Sequence, residues 1–326
     1  MSAAPGLARG RVRRSAALTL GCAALLATAC AINTSRAEGV QEIARAFAES
    51  DWRFQRSVSN APFLPVGWIA VTQYGDTKFT GESGDPVQES FSQRTVSQAA
   101  MLPLPVGRRD AFVFGEWVSW TSIDVRGPGR DFDVLSLALP IGWGRQVNED
   151  WQAAAFFAPL GHHRSGRGGR WAWEYMGGVF GRYMQDDYRT WIFGFFADVS
   201  PGDDLYLPYA GLLWVLSERW VISALMPWPA VIYAPSKEFF MRFGVTPAGA
   251  SWGREDGGEQ VFADLDGWNL GLSLERRLKG KLWLRAEAGM SGFRGFSVQG
   301  DRWRSPDTEL GSSPYVALAL SLRPSF

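Results

Sequence analysis

The chain has 326 residues, 33 acidic and 33 basic side chains, and an aromatic fraction of 14% that includes 16 Trp. A net charge of zero gives no electrostatic footprint for nucleic acid, so we exclude that class of partner. So many Trp side chains favour a protein at a membrane interface, although a large soluble β-sandwich is the plain alternative.

The N-terminus predicts an export signal over residues 1–37. Several Arg side chains precede an apolar run at 16–29 that is too short to span a membrane. Cleavage could follow Ala37, or it could follow Ala29, in which case Cys30 would carry a lipid. Because Cys22 and Cys30 are the two cysteines of the chain, residues 38–326 can form no disulfide bond.

The next predicted unit is a periplasmic or plug segment over residues 38–64. Apolar residues in Val40–Ser50 follow helical spacing, which predicts a short amphipathic helix. No later stretch reaches 18 apolar residues, so an exported protein of this kind cannot be a bundle of membrane-spanning helices.

From residue 65 to residue 326 the sequence predicts an all-β fold, an antiparallel transmembrane β-barrel. Apolar and polar residues alternate with period two, most clearly over 267–277, 282–291 and 315–323. Lys279 and Gly280 mark a tight turn between the first two of these strands. One face of each strand is therefore expected to meet lipid and the other to face the lumen.

The connections between strands predict how many strands close the barrel. We interpret the short connections as periplasmic turns, and they lie at 107–110, 146–150, 185–188 and 217–219. We interpret the longer connections as external loops, and they lie at 80–89, 126–130, 161–170, 249–260 and 299–312. A closed single-chain barrel has an even strand number, so an odd number of strands must fill residues 219–248. Three strands there give 14 in total, and one gives the alternative of 12.

The chain ends on Phe326 after an alternating strand, which resembles the assembly signal read by the barrel-assembly machinery. Pro-marked strands such as Leu102-Pro103-Leu104-Pro105 and Met226-Pro227-Trp228-Pro229, with the ending Ser313-Pro314-Tyr315-Val316, resemble an uncharacterised family of predicted bacterial outer-membrane barrels. That resemblance covers nearly the whole mature chain. It implies a bacterial outer-membrane location and the fold, and it supplies no catalytic or binding residues.

Few residues suggest a catalytic or ligand-binding role. A serine hydrolase needs a His base, and this chain offers only His162 and His163, beside Ser165 in a Gly- and Arg-rich segment. Adjacent side chains diverge in extended backbone, so we predict no catalytic residues, no metal site and no cofactor. The nearby Arg164, Arg167 and Arg170 are suited to lipopolysaccharide phosphates, and a merely solvated loop is the alternative.

Alternation places a set of charged side chains on the inner face, where they should line the lumen: Glu174, Arg182, Asp198, Arg242, Glu275, Arg285 and Glu287. Even register across the turn at Gly280 should bring Glu275 near Arg285, where the two side chains could form an ion pair. Mixed charges suit a weakly selective pore wall, and they equally suit an ion-pair network that fills a narrow barrel.

The sequence thus predicts an outer-membrane channel for passive or facilitated passage of a small solute, with no enzymatic step. The alternative is a closed structural or binding protein whose loops contact lipopolysaccharide or a partner. Outer-membrane lipids are expected partners in both cases.

Overall fold

The computed structural model describes residues 46–47, 49–53, 58–80, 86–126, 131–165, 169–200, 204–226, 228–256, 259–300 and 308–323. Residues 1–50 and 51–326 form separate units. Within residues 51–326 the fold is a closed, antiparallel barrel of 14 strands. The predicted count of 14 is confirmed, and the alternative of 12 is wrong.

Seventeen hydrogen-bonded segments form the 14 strands because three strands are each interrupted once. The strands are β1 (Gly67–Tyr74 and Thr77–Thr80), β2 (Pro86–Val106), β3 (Asp110–Arg126), β4 (Phe132–Ala138 and Ile141–Gln146), β5 (Trp151–Arg164), β6 (Gly169–Met184), β7 (Arg189–Val199), β8 (Asp204–Val215), β9 (Trp220–Leu225), β10 (Ala230–Ser236), β11 (Phe239–Asp256), β12 (Glu259–Lys279), β13 (Leu282–Gly300) and β14 (Thr308–Leu310 and Ser313–Leu322).

Neighbouring strands along the chain pair antiparallel, and β1 closes the barrel against β14. The closing register runs from Gly67 opposite Leu322 to Tyr74 opposite Tyr315. Both chain ends of the barrel therefore lie at one end, here called the terminal end, and the opposite end is the loop end. In outer-membrane barrels the terminal end faces the periplasm.

Three strands, β9 to β11, fill the region around residues 219–248, as predicted. The predicted short turns also lie where expected, at the terminal end. Gly107 and Gly280 have φ values of 66° and 56°. Glycine occupies this left-handed region at little cost, which explains its place in these two turns.

Side chains alternate between an exposed outer face and a covered inner face. The segment Ser313–Leu322 is the clearest case, because every second residue is buried. Val316, Leu318 and Leu322 are exposed there, whereas Ala317 and Ala319 are buried. The same outward apolar series occurs on β12 and β7, so the period-two prediction for these strands is confirmed.

Several predicted external loops are shorter than the sequence suggested. β11 and β12 remain paired out to Asp256 opposite Glu259, and β5 extends to Arg164. The predicted loops 249–260 and 161–170 are therefore largely strand. The error arises because Gly and charged residues in these segments resemble loop composition, while cross-strand hydrogen bonds continue beyond the apolar band.

Part of the predicted N-terminal region lies outside the described residues. This holds for the signal at 1–37, for Cys30, and for most of the predicted helix at Val40–Ser50. Of that helix the structure describes residues 46–47, which are helical, and residues 49–50, which form a turn and a bend. Phe326 also lies outside them. Among the described residues, no helix is long and apolar enough to cross a membrane.

We expect Leu272→Arg on the outer face of β12 to lower the free energy of unfolding by about 2–4 kcal/mol, because it exposes a charge to lipid near mid-strand. Leu278→Arg is the matched control on the same face, and beside the terminal turn it should cost about 0–1 kcal/mol. Both side chains are exposed. Urea titration in lipid vesicles measures the difference, and equal losses would contradict the assignment of the lipid face.

Candidate functional site: the lumen and its openings

The chain before β1 crosses the terminal end of the barrel. Asp51 donates its backbone N–H to the Arg108 carbonyl at 2.8 Å, and Asn60 donates its own to the Glu218 carbonyl at 2.7 Å. Between them, the Arg53 carbonyl accepts a bond from Gln152. Residues 51–53 and 58–66, here together called the N-terminal strap, thus contact turns on different sides of the terminal mouth.

Side chains fix both ends of the strap. Asp51 pairs with Arg108 and Arg109, and hydrogen bonds from these two guanidinium groups hold the pKa of Asp51 below its ordinary value of 3.8. The Trp52 ring lies against Gly144, where a Cβ atom would overlap it. Ala61 packs on the buried cluster of Ala234, Phe240 and Trp283.

A buried ion pair lies inside the barrel near the same end. Arg323 contacts the Glu275 carboxylate at 2.5 Å, and the two side chains are 9% and 4% exposed. Arg323 also donates to the Phe63 carbonyl of the strap and lies over the rings of Phe240 and Trp283. The ion pair therefore joins β12, the end of β14 and the strap.

The predicted register, which places Glu275 opposite Arg285, is correct. The two side chains do not form an ion pair with each other, so that part of the prediction is wrong. The two residues are directly opposite across β12 and β13. Arg285 instead lies 3.8 Å from Glu287, which accepts a bond from Tyr315 at 2.7 Å. Glu275 pairs with Arg323 because that side chain reaches back into the barrel from beyond the last strand.

The structure places all seven charged residues predicted to line the lumen on inward-facing register positions. Arg182 donates to Gln152 at 2.8 Å, and Arg242 donates to the Val245 carbonyl at 3.2 Å. The set does not form one group. Glu275, Arg285, Glu287 and Arg242 lie on β11–β13, whereas Glu174 and Arg182 lie on β6 and Asp198 lies on β7. Arg182 is beside residues that contact the strap.

The opposite inner wall, on β5 to β8, carries an apolar patch among its polar residues. Phe156 stacks with Phe180 and Phe196, and Phe180 meets Tyr209 edge to face at 5.3 Å. On β8 the inward positions include Leu205 and Leu207, which are opposite Asp198 and Phe196. Leu205 is 46% exposed and Leu207 38%, so this part of the inner wall is not covered by other side chains of the described chain.

The loop end is narrowed by an apolar cluster inside the barrel. Its members come from β1 to β4 and β11 to β14: Phe79, Phe91, Ile123, Val125, Phe132, Val134, Trp252, Ala263, Leu265, Phe296, Val298 and Leu310. The rings of Phe132 on β4 and Trp252 on β11 are 5.1 Å apart. Strands far apart around the barrel therefore meet across its interior.

The wall between β6 and β11 is uneven because β7 to β10 are short. Toward the loop end, the pairing of β6 with β7 extends only to Tyr175, which is opposite Val199. The pairing of β11 with β10 likewise extends only to Gly244, which is opposite Ala230. Beyond these points β11 reaches β6 directly, pairing Gly253 with Arg170. A small recess at this junction, here called the side recess, is lined by His162, Ala172, Trp173, Glu174, Ser200, Ser251, Trp252, Phe262 and Asp264.

His162 lies in β5 rather than in a loop, and its partner is Ser136 instead of the neighbouring Ser165. His162 Nδ1 is 2.8 Å from Ser136 Oγ, and Nε2 is 3.4 Å from Glu174. Ser165 Oγ accepts the backbone N–H of Asp133. Ser136 and His162 are directly opposite in register, a relation that sequence spacing cannot reveal.

Of the three Arg residues predicted to contact lipopolysaccharide, the two that the structure describes lie in different environments. Arg164 lies 4.4 Å from the centre of the Phe132 ring, and Arg170 is exposed. Arg167 lies outside the described residues. Contact with lipopolysaccharide stays a prediction. Within the described part of the chain, no group of three or more His, Cys, Asp or Glu residues is arranged to hold a metal ion.

No family model and no curated protein matches the chain. Similar solved structures are outer-membrane barrels. An outer-membrane channel from Pseudomonas putida F1 is 10% identical, with 79% of this chain and 96% of that chain covered and a TM-score of 0.44. A FadL homologue from Pseudomonas aeruginosa is 11% identical, covering 79% and 90%, with a TM-score of 0.41.

The toluene transporter TodX from Pseudomonas putida is 11% identical, covers 80% of this chain and 90% of its own, and has a TM-score of 0.33. At such low identities and TM-scores, these likenesses carry no argument about what this chain transports. The resemblance drawn from the sequence, to bacterial outer-membrane barrels, agrees with a fold of this class.

We expect Arg323→Met to lower the free energy of unfolding by about 3–5 kcal/mol, because it leaves the buried Glu275 carboxylate without its partner. Arg323→Met combined with Glu275→Gln should recover much of this loss. Arg277→Met, which breaks a more exposed pair with Glu238, is the control and should cost about 0–1 kcal/mol. Urea titration measures all three, and a double variant no more stable than Arg323→Met would contradict the pairing.

The Asp51 contacts should loosen only in acid. A lowered folded pKa means that the contact is fully favourable above 3.8 and is lost as the pH falls through the folded value. Amide exchange at residues 51–53, corrected for intrinsic rates, should therefore stay slow at neutral pH and rise below pH 3.8. Asp51→Asn should exchange fast at neutral pH, and slow exchange in that variant would disprove the role of Asp51.

Proposed function

We propose that the protein is a bacterial outer-membrane channel that passes small solutes carrying an apolar part. The observation that carries the proposal is the uncovered apolar patch on the inner wall of β5 to β8. Leu205 and Leu207 face the lumen there and remain exposed. Burying apolar surface of a solute against such a wall is favourable, whereas a purely polar solute gains nothing from it.

The opposite inner wall supports passage of a solute that also has a polar part. There Arg285 and Arg242 are partly exposed beside the Glu275 and Glu287 network. A solute between the two walls would meet hydrogen-bonding groups on one side and aromatic rings on the other. This arrangement supports selection by amphipathic character rather than by net charge.

The strap and the apolar cluster at the loop end suggest where the route runs. The strap contacts the turns at the terminal mouth, and the apolar cluster lies across the interior at the loop end. The side recess, between β6 and β11, lies at the edge of that cluster, with which it shares Trp252. We therefore place one end of the route beside the strap and the other near the side recess.

Liposome swelling with phenylalanine and glutamine tests the selectivity, because both are zwitterions and they differ in apolar character. The wild-type protein should admit phenylalanine faster. Leu205→Gln with Leu207→Gln should reduce that preference, since the apolar wall becomes polar. Tyr206→Gln, on the outer face of the same strand, should leave it unchanged. An unaltered preference in the Leu double variant would contradict the proposal.

Single-channel conductance in planar bilayers tests the path itself. Removing residues 38–64 should raise the conductance, because residues of the strap that cross the terminal mouth are then absent. If neither the wild-type protein nor the truncated protein conducts, the channel proposal fails.

A closed barrel is the second candidate, favoured by the strap at one end and the apolar cluster at the other. It predicts no conductance in either protein. An enzymatic role for Ser136 and His162 is not part of either proposal. Lipid hydrolysis that disappears in Ser136→Ala would overturn that view.

A further inference from the structure

One carboxylate breaks the alternation of the barrel on its outer face. On β3 the outward positions are Phe112, Phe114, Glu116, Val118 and Trp120, and the exposed Glu116 lies midway between the two ends of this apolar series. A transmembrane strand spans the bilayer with about 9–11 residues. Glu116 therefore lies near the middle of the lipid-facing band.

Among the described residues, Glu116 has too few hydrogen-bond donors for a carboxylate that lies in hydrocarbon. Gln98, on the outer face of β2, donates to Glu116 Oε1 at 3.5 Å, which is a long hydrogen bond, and both side chains are solvent-exposed in the isolated chain. Lipid offers no donor to the remaining lone pairs of the carboxylate. An ionisable residue at this depth needs a further protein group against it.

The surface beside Glu116 permits such a group to come close. Glu116 is directly opposite Ala100 on β2, and Ala100 is directly opposite Gly67 on β1. Ala100 and Gly67 therefore lie on the outer face, in the same cross-strand row as Glu116. Small side chains let protein backbones approach closely within a membrane.

We infer that this outer surface of β1 to β3, defined by Gly67, Gln98, Ala100 and Glu116, is the interface with a second copy of this chain. The donor Gln98 and the acceptor Glu116 lie side by side on one patch. A two-fold axis through the patch would therefore bring the Gln98 amide of each copy to the Glu116 carboxylate of the other. Such a patch is self-complementary, as a two-fold interface requires.

Cross-linking in native membranes tests the interface. Residues 38–326 contain no cysteine, so a single substitution gives a unique thiol in the barrel. Ala100→Cys should yield a band of twice the chain mass with a short bis-maleimide. Val231→Cys, exposed on the outer face of β10, is the control and should give only the monomer band.

Glu116 should decide whether the dimer forms. Glu116→Leu in the Ala100→Cys background should abolish the doubled band, and Glu116→Gln, which keeps a hydrogen-bonding group, should retain at least part of it. Glu116→Leu places an apolar side chain on the lipid face, so the barrel should still show its heat-modifiable migration. A missing dimer in the parent, a cross-linked partner of different mass, or a doubled band that persists in Glu116→Leu would overturn the proposal.

Discussion

Closure of the hydrogen-bond ladder is the constraint on which the rest of this structure depends. Hydrocarbon cannot satisfy free backbone N–H and C=O groups, so a strand at the edge of an open sheet would be too costly. The pairing of β1 with β14 removes both edges. It also fixes the register around the barrel, and the register decides for every strand residue whether it meets lipid or lumen.

Strand length then divides the interior. β11 to β14 and β1 to β4 extend past the short strands β7 to β10, and their inward side chains meet above those short strands. Their added inward residues form the apolar cluster at the loop end, whereas the shorter strands end below it. As a result the exposed inner wall lies on β5 to β8, and the side recess forms where the long and short strands meet.

The sequence predicted the features that depend on local periodicity. Alternation around Leu272 and Leu318 identified the lipid face, and parity identified three strands around residues 219–248. It could not predict contacts set by register between distant residues. Ser136 meets His162, and Arg323 meets Glu275, because strands pair with a stagger that the spacing of residues does not encode. Strand extensions beyond the membrane were missed because their composition resembles that of loops.

The inward charges near Glu275 form pairs with one another or with Arg323. Around Glu275 the charges are buried and paired, with aromatic rings and a strap carbonyl completing the shell of Arg323, so they fill the barrel on that side. Filling one side leaves any free passage to the other side, where Leu205, Leu207 and the rings around Phe180 form an apolar patch. In the proposed channel, the charged groups around Glu275 satisfy one another, and a solute would meet this patch as the main uncovered apolar surface.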